Sequence, residues 1–130
     1  MSETKSQVAE QDNLKYEYLQ VRGTVINFTK DDMILTGSDL SWGKWINSPV
    51  DTKSMNTSNF GSQGRSSSPS GTTGTASWKI GNAVITINFD CPLNGSNTQS
   101  ITCSPKGAYT VSCDGTGGDV NICSFKVMPA

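Results

Sequence analysis

A chain of 130 residues, 34% hydrophobic and 16% charged, has the length of one domain, and its surplus of Ser, Thr, Asn and Gly disfavours long helices. The net charge is −1 with Lys and Arg scattered, which excludes a phosphate-tracking nucleic-acid binder, and no apolar run approaches the roughly 20 residues of a membrane-spanning helix. There is no histidine, so Ser-His and Cys-His nucleophile pairs are excluded, and no glycine run has the spacing of a phosphate loop; an enzyme is not expected.

Residues 1–14 are polar, of mixed charge and without periodicity, and show no apolar core of a signal peptide. They predict a loose tail ahead of one domain spanning 15–130. From Tyr16 the residues alternate, with Leu19, Val21, Gly23 and Val25 on one face, and a phase slip at Val25-Ile26 predicts a bulge near Gly23 to Ile26. A charged turn at 29–33 precedes Ile34 and Leu35, and "LSWGKW" (40–45) predicts a short aromatic strand whose two tryptophans, three apart, point to opposite faces. Residues 47–63 read as loop plus one weak edge strand. The stretch "GRSSSPSGTTGTASW" (64–78) has the composition of a linker.

Beyond it the pattern is clearer. Ala83, Ile85, Ile87 and Phe89 share one face of a strand that a Gly81-Asn82 turn joins to Trp78–Ile80 as a hairpin, with Trp78 in the core. Strands are expected at 99–103, 108–113 and 120–127, separated by turns at Asn94-Gly95, Pro105-Lys106-Gly107 and 114–118. Regular short strands between such turns predict an all-β, single-domain antiparallel β-sandwich.

Cys91, Cys103, Cys113 and Cys123 lie about ten residues apart, and a zinc site would need all four at spacings that match no ligand knuckle. Two disulfides are expected instead, and with them an oxidising, extracellular compartment. A two-residue Gly117-Gly118 turn would bring Cys113 close to Cys123, which leaves Cys91 for Cys103. Asp31-Asp32 reads as a solvated turn, and Asp114–Asp119 as a hairpin turn rather than a calcium loop. The sequons at Asn27, Asn56 and Asn94 matter only in a eukaryotic secretory pathway. Trp42 and Trp45 are the residues that most suggest an interface, since an indole joins an apolar body to a polar tip.

Three segments in order, "LSWGKW" (40–45), "GRSSSPSGTTGT" (64–75) and "NFDCP" (88–92) followed by Gly95-Ser96, resemble the aegerolysins, small acidic β-sandwich proteins of fungi and bacteria. The resemblance covers about residues 16–127. It implies that "GRSSSPSGTTGTASW" is an ordered corner, with Gly71 and Gly74 supplying turn dihedrals and only the Ser67-Ser68-Pro69 tip mobile. It also implies binding to sphingolipid-containing membranes and recruitment of a larger partner with a membrane-attack-complex/perforin domain, which supplies the pore. The disulfide-rich last third favours a bacterial insecticidal component, released to act at the target cell membrane.

By position the resemblance assigns lipid contact to Trp42, Lys44, Trp45, Arg65, Ser66, Asp90 and Leu93. A lipid phosphate would suit Lys44 or Arg65, and an ethanolamine ammonium would suit Asp90 beside an indole face. The tryptophans of the family's WDCPW turn are here Phe89 and Leu93, and its N-terminal aromatic strand is only echoed by Tyr16–Leu19. The resemblance implies no cofactor. A carbohydrate-binding sandwich, with Trp42 or Trp45 stacked on a sugar ring, is the alternative reading.

Overall fold

Alternating apolar and polar residues build nine strands among the residues described in the computed structural model, 16–66 and 69–130. The expected tail at 1–14, and Ser67 and Ser68 of the expected mobile tip, lie outside the described residues. The strands are β1 (Gln20–Asn27), β2 (Ile34–Trp42), β3 (Lys44–Asn47), β4 (Thr57–Gln63), β5 (Thr72–Ile80), β6 (Ala83–Cys91), β7 (Thr98–Ser104), β8 (Tyr109–Asp114) and β9 (Val120–Pro129). They form two sheets, ordered β3-β4-β1-β9-β8 and β2-β5-β6-β7.

The inward residues of the two sheets interleave into one core. Trp78, Phe89, Phe125, Ile85 and Ile87 are fully buried, each contributing on the order of 1.5–3 kcal/mol of burial free energy. Phe60 lies 4.9 Å from Phe89 and 6.2 Å from Phe125, ring centre to ring centre, so it joins the two sheets. Trp78 is in the core as expected, and its indole N–H donates to the Val50 carbonyl at 2.9 Å. The Gly81-Asn82 hairpin also forms, with Ile80 facing Ala83.

Several expectations are corrected. Residues 16–18 are a turn, closed by the Leu19 amide on the Tyr16 carbonyl at 3.2 Å, and β1 begins only at Gln20. No bulge interrupts β1, whose register with β4 runs unbroken from Gln20 to Ile26. Gly23 instead makes room, because a Cβ there would sit 2.2 Å from the Phe60 ring. β4 is not a weak edge; it lies between β3 and β1. The sheets are not wholly antiparallel either, since β1 pairs with β9 in parallel. Parallel neighbours need a long crossover, and here most of the chain supplies it.

The two expected disulfides do not form: among the described residues none of the four cysteines is bridged to another. Register is the reason. Residues 115–119, not a two-residue turn, join β8 to β9, so Cys113 faces Phe125 rather than Cys123. Cys103 faces Ile85, six residues from Cys91 at the far end of β6, which is about 20 Å along a strand. The inference of an oxidising compartment, and with it the cysteine argument for a bacterial insecticidal protein, loses its support. Cys123 behaves as a core side chain, its thiol pushed up to about 12 by burial, with Cys113, Cys91 and Asp114 adding to the shift.

Candidate functional site

The strand registers carry most of the sequence-predicted site residues to one end of the sandwich. Across the outer face of the β2-containing sheet, Trp42 pairs with Thr73, Thr73 with Asp90 and Asp90 with Thr98. At the same end of the other sheet, Lys44 pairs with Gln63, the last residue of β4. Gly43 joins the two sheets. Its φ of +98° is left-handed, and a Cβ would meet the Gln63 carbonyl oxygen at 2.5 Å and the Thr72 hydroxyl at 2.6 Å, so only glycine turns this corner without strain. The Thr72 hydroxyl lies within hydrogen-bond distance of the Trp42 carbonyl (3.2 Å) and the Ser62 hydroxyl (2.7 Å), and Thr72 and Ser62 are buried.

The corner separates the two tryptophans. Trp42 is 57% exposed, whereas Trp45 is half-buried with its ring centre 6.1 Å from that of Phe89. One is outside and one inside, as expected, but because they belong to strands of different sheets rather than to one strand. Arg65 reaches back to the corner and donates through Nε to the Gly43 carbonyl at 3.1 Å, using one of the five N–H donors of its guanidinium. Asp39, Leu40, Gly43, Lys44, Trp45 and Arg65 thus line one cleft of about 340 Å³.

Lys44 is ion-paired with Glu17, whose side chain is far less exposed than the lysine's. Sequence reasoning missed Glu17, since the turn that positions it was read as a strand. A negative charge three residues before β1, at the end where Lys44 starts β3, is a signal visible only once the fold is known. The same turn is tied to the Arg65 corner by the Gly64 amide, which donates to the Leu19 carbonyl at 2.9 Å.

Asp90 and Leu93 are not in this cleft. Asp90 is half-buried and accepts from the Thr73 hydroxyl at 2.5 Å. It lines a separate hollow of about 240 Å³ with Thr73, Asn88, Thr98 and Ser100. Leu93 follows β6 and is half-buried against the core, and Ser66 is half-buried in the turn after Arg65. The end therefore offers an exposed indole and a cation-containing cleft at one corner, and a mostly apolar hollow with a carboxylate in its wall. Among the described residues no three His, Cys, Asp or Glu side chains are grouped to hold a metal ion.

The architecture recurs in solved structures of low sequence identity, which establish the fold alone. RahU, crystallised in complex with a TRIS molecule, superposes with a TM-score of 0.74 at 18% identity, over 88% of this chain and 97% of its own. IP-1A from Alcaligenes faecalis gives 0.73 at 23% identity, over 88% of this chain and 94% of its own. Nakanori, described as a lipid binding protein, gives 0.73 at 10% identity, over 85% of this chain and 71% of its own. No curated protein matches the sequence. The family model named Aegerolysin matches residues 18–123, a span that runs from the Glu17 turn's end through all three motifs to Cys123 in β9, and on that match the chain belongs to the aegerolysin family.

Proposed function

We propose that the protein is a non-enzymatic membrane-lipid recognition module, and that the Gly43 corner with its neighbouring hollow receives a sphingolipid head group. The observation that carries the reading is the juxtaposition of a 57%-exposed Trp42 with the Lys44 and Arg65 cleft, across a glycine that fixes their spacing. An indole seats at the interfacial level of a bilayer, and a guanidinium suits a phosphodiester through charge-assisted hydrogen bonds. Asp90, in the wall of its hollow, suits an ethanolamine ammonium. Nakanori's description as a lipid binding protein supports the class of ligand.

On this reading the protein, released from its source, binds the outer face of a target cell and recruits a perforin-like partner that makes the pore of a two-component toxin. Sedimentation with liposomes of sphingomyelin plus cholesterol, of ceramide phosphoethanolamine, or of phosphatidylcholine alone tests the first half. Selective pelleting with a sphingolipid is the expected result. Release of a trapped dye only after a perforin-domain protein is added tests the second half. Absence of binding to every sphingolipid vesicle, with cell binding inhibited by free sugars, would replace the reading with the carbohydrate one.

A further inference from the structure

The sandwich has a second seam, between β7 and β8. These are the last strands of their respective sheets, and the chain passes from one to the other through residues 105–108. Their inward residues reach the seam without closing it. Ile101 and Cys103 from β7 and Tyr109 and Val111 from β8 are half-buried against the core, and they line a groove of about 450 Å³. That volume falls within the usual range of small-molecule sites, and like them the groove is mostly apolar with few polar groups. Tyr109 is fixed by its hydroxyl, which donates to Asp31 Oδ2 at 2.8 Å.

One lining residue is charged. Lys106, exposed in the turn that closes the groove, makes no ion pair among the described residues. A neutral apolar ligand would gain nothing from it, and a small inorganic anion would gain nothing from the Ile101 and Val111 walls. A molecule with an apolar tail and one anionic head satisfies both.

The geometry points to the β7–β8 seam as a binding site for a single-chain amphiphilic anion such as a medium-chain fatty acid, its tail between Ile101 and Val111 and its carboxylate at Lys106. The site shares no lining residue with the proposed head-group corner or with its neighbouring hollow, which reaches β7 only at Thr98, Gln99 and Ser100. The tail removes its methylenes from water at about 0.8 kcal/mol each when fully buried, so affinity rises with chain length until the groove is full.

Laurate is the probe, below its micellar concentration, with dodecanol and acetate as controls. Calorimetry is expected to show one laurate per chain and no saturable acetate binding. Laurate is also expected to slow alkylation of half-exposed Cys103, read by peptide mass spectrometry, by about tenfold at 10 times its Kd. Lys106→Glu should weaken laurate about tenfold and leave dodecanol unchanged. Val111→Trp should abolish binding, and Trp42→Ala should leave it intact. Absence of Cys103 protection in the wild-type protein overturns the proposal, as does laurate binding that Trp42→Ala removes or that Lys106→Glu leaves unaltered. None of these outcomes depends on sphingolipid binding, so the two readings fail separately.

Discussion

The two seams of the sandwich are built on the same plan and finished differently. At the β2–β3 seam an aromatic ring fills the gap, Trp45 against Phe89, and the cleft outside it is walled by Asp39, Lys44 and Arg65. At the β7–β8 seam the aromatic, Tyr109, is held by its hydroxyl on Asp31, and with the half-buried Ile101, Cys103 and Val111 it leaves an apolar groove with one lysine at its turn. An edge that closes around a large ring carries its chemistry on the outside, in polar and charged groups suited to a head group. An edge left open carries it inside, in apolar walls suited to a chain.

Breaking the filled seam should have the largest effect. Trp45→Ala removes a ring from the core boundary and is expected to cost about 3 kcal/mol in urea unfolding, with the β7–β8 groove unaffected. Gly43→Ala forces a left-handed alanine against the Gln63 carbonyl and is expected to cost about 2–3 kcal/mol while also disordering the Trp42 and Lys44 spacing. An equal stability for either variant would mean that the corner does not hold the sheets together.

The cysteines sharpen the comparison next. A thiol raised by burial in the folded state favours the protonated form, so Cys123 contributes stability that is complete below pH 9 and is lost as pH rises from 9 towards 12, where the unfolded chain releases its proton first. Cys123→Ala should flatten that alkaline loss, measured as unfolding midpoint against pH. Cys103, half-exposed at the open seam, should alkylate in the native protein while Cys91 and Cys123 do not. Glu17→Gln is the smallest change, expected to alter stability by less than about 1 kcal/mol because its ion pair is partly solvated. Its use is functional, since it unties Lys44 and is expected to raise binding to anionic-phosphate vesicles.

Where a tight turn joins two strongly patterned strands, the sequence was legible. The alternation of 83–91, the Gly81-Asn82 turn and the burial of Trp78 follow from period-two patterning, which the β5–β6 hairpin realises residue for residue. Pairings between distant segments left no such local trace. Nothing in Gln20–Asn27 announces a parallel partner at Val120–Val127. β4 looked like an edge because Phe60 is its one large apolar residue and the other two it buries are Gly61 and Ser62, and polarity in a strand says nothing of whether small residues are enclosed.

The stretch 64–78 shows the same limit. Its linker composition conceals an interior strand, β5, hydrogen-bonded to β2 and β6. Gly71 and Gly74 do not supply left-handed turns there, since neither has a positive φ. The disulfides failed for a related reason: hairpin arithmetic requires the loop length, and five residues, not two, close the β8–β9 turn. The end that gathers Trp42, Lys44 and Arg65 was legible only through the family motifs, because Gly43 and the two sheets it joins bring them together, not their spacing on one strand.

The central claim is that Trp42, at the Gly43 corner, meets the membrane. Trp42 is exposed, so Trp42→Ala is expected to shift stability by no more than about 0.5 kcal/mol. The direct measurement is co-sedimentation of wild type and Trp42→Ala with vesicles of the sphingolipid that the wild type prefers. An apparent Kd at least about tenfold weaker for the variant, with its unfolding midpoint unchanged, is the expected result. Equal binding by the two proteins would contradict the claim and move the lipid site away from this corner.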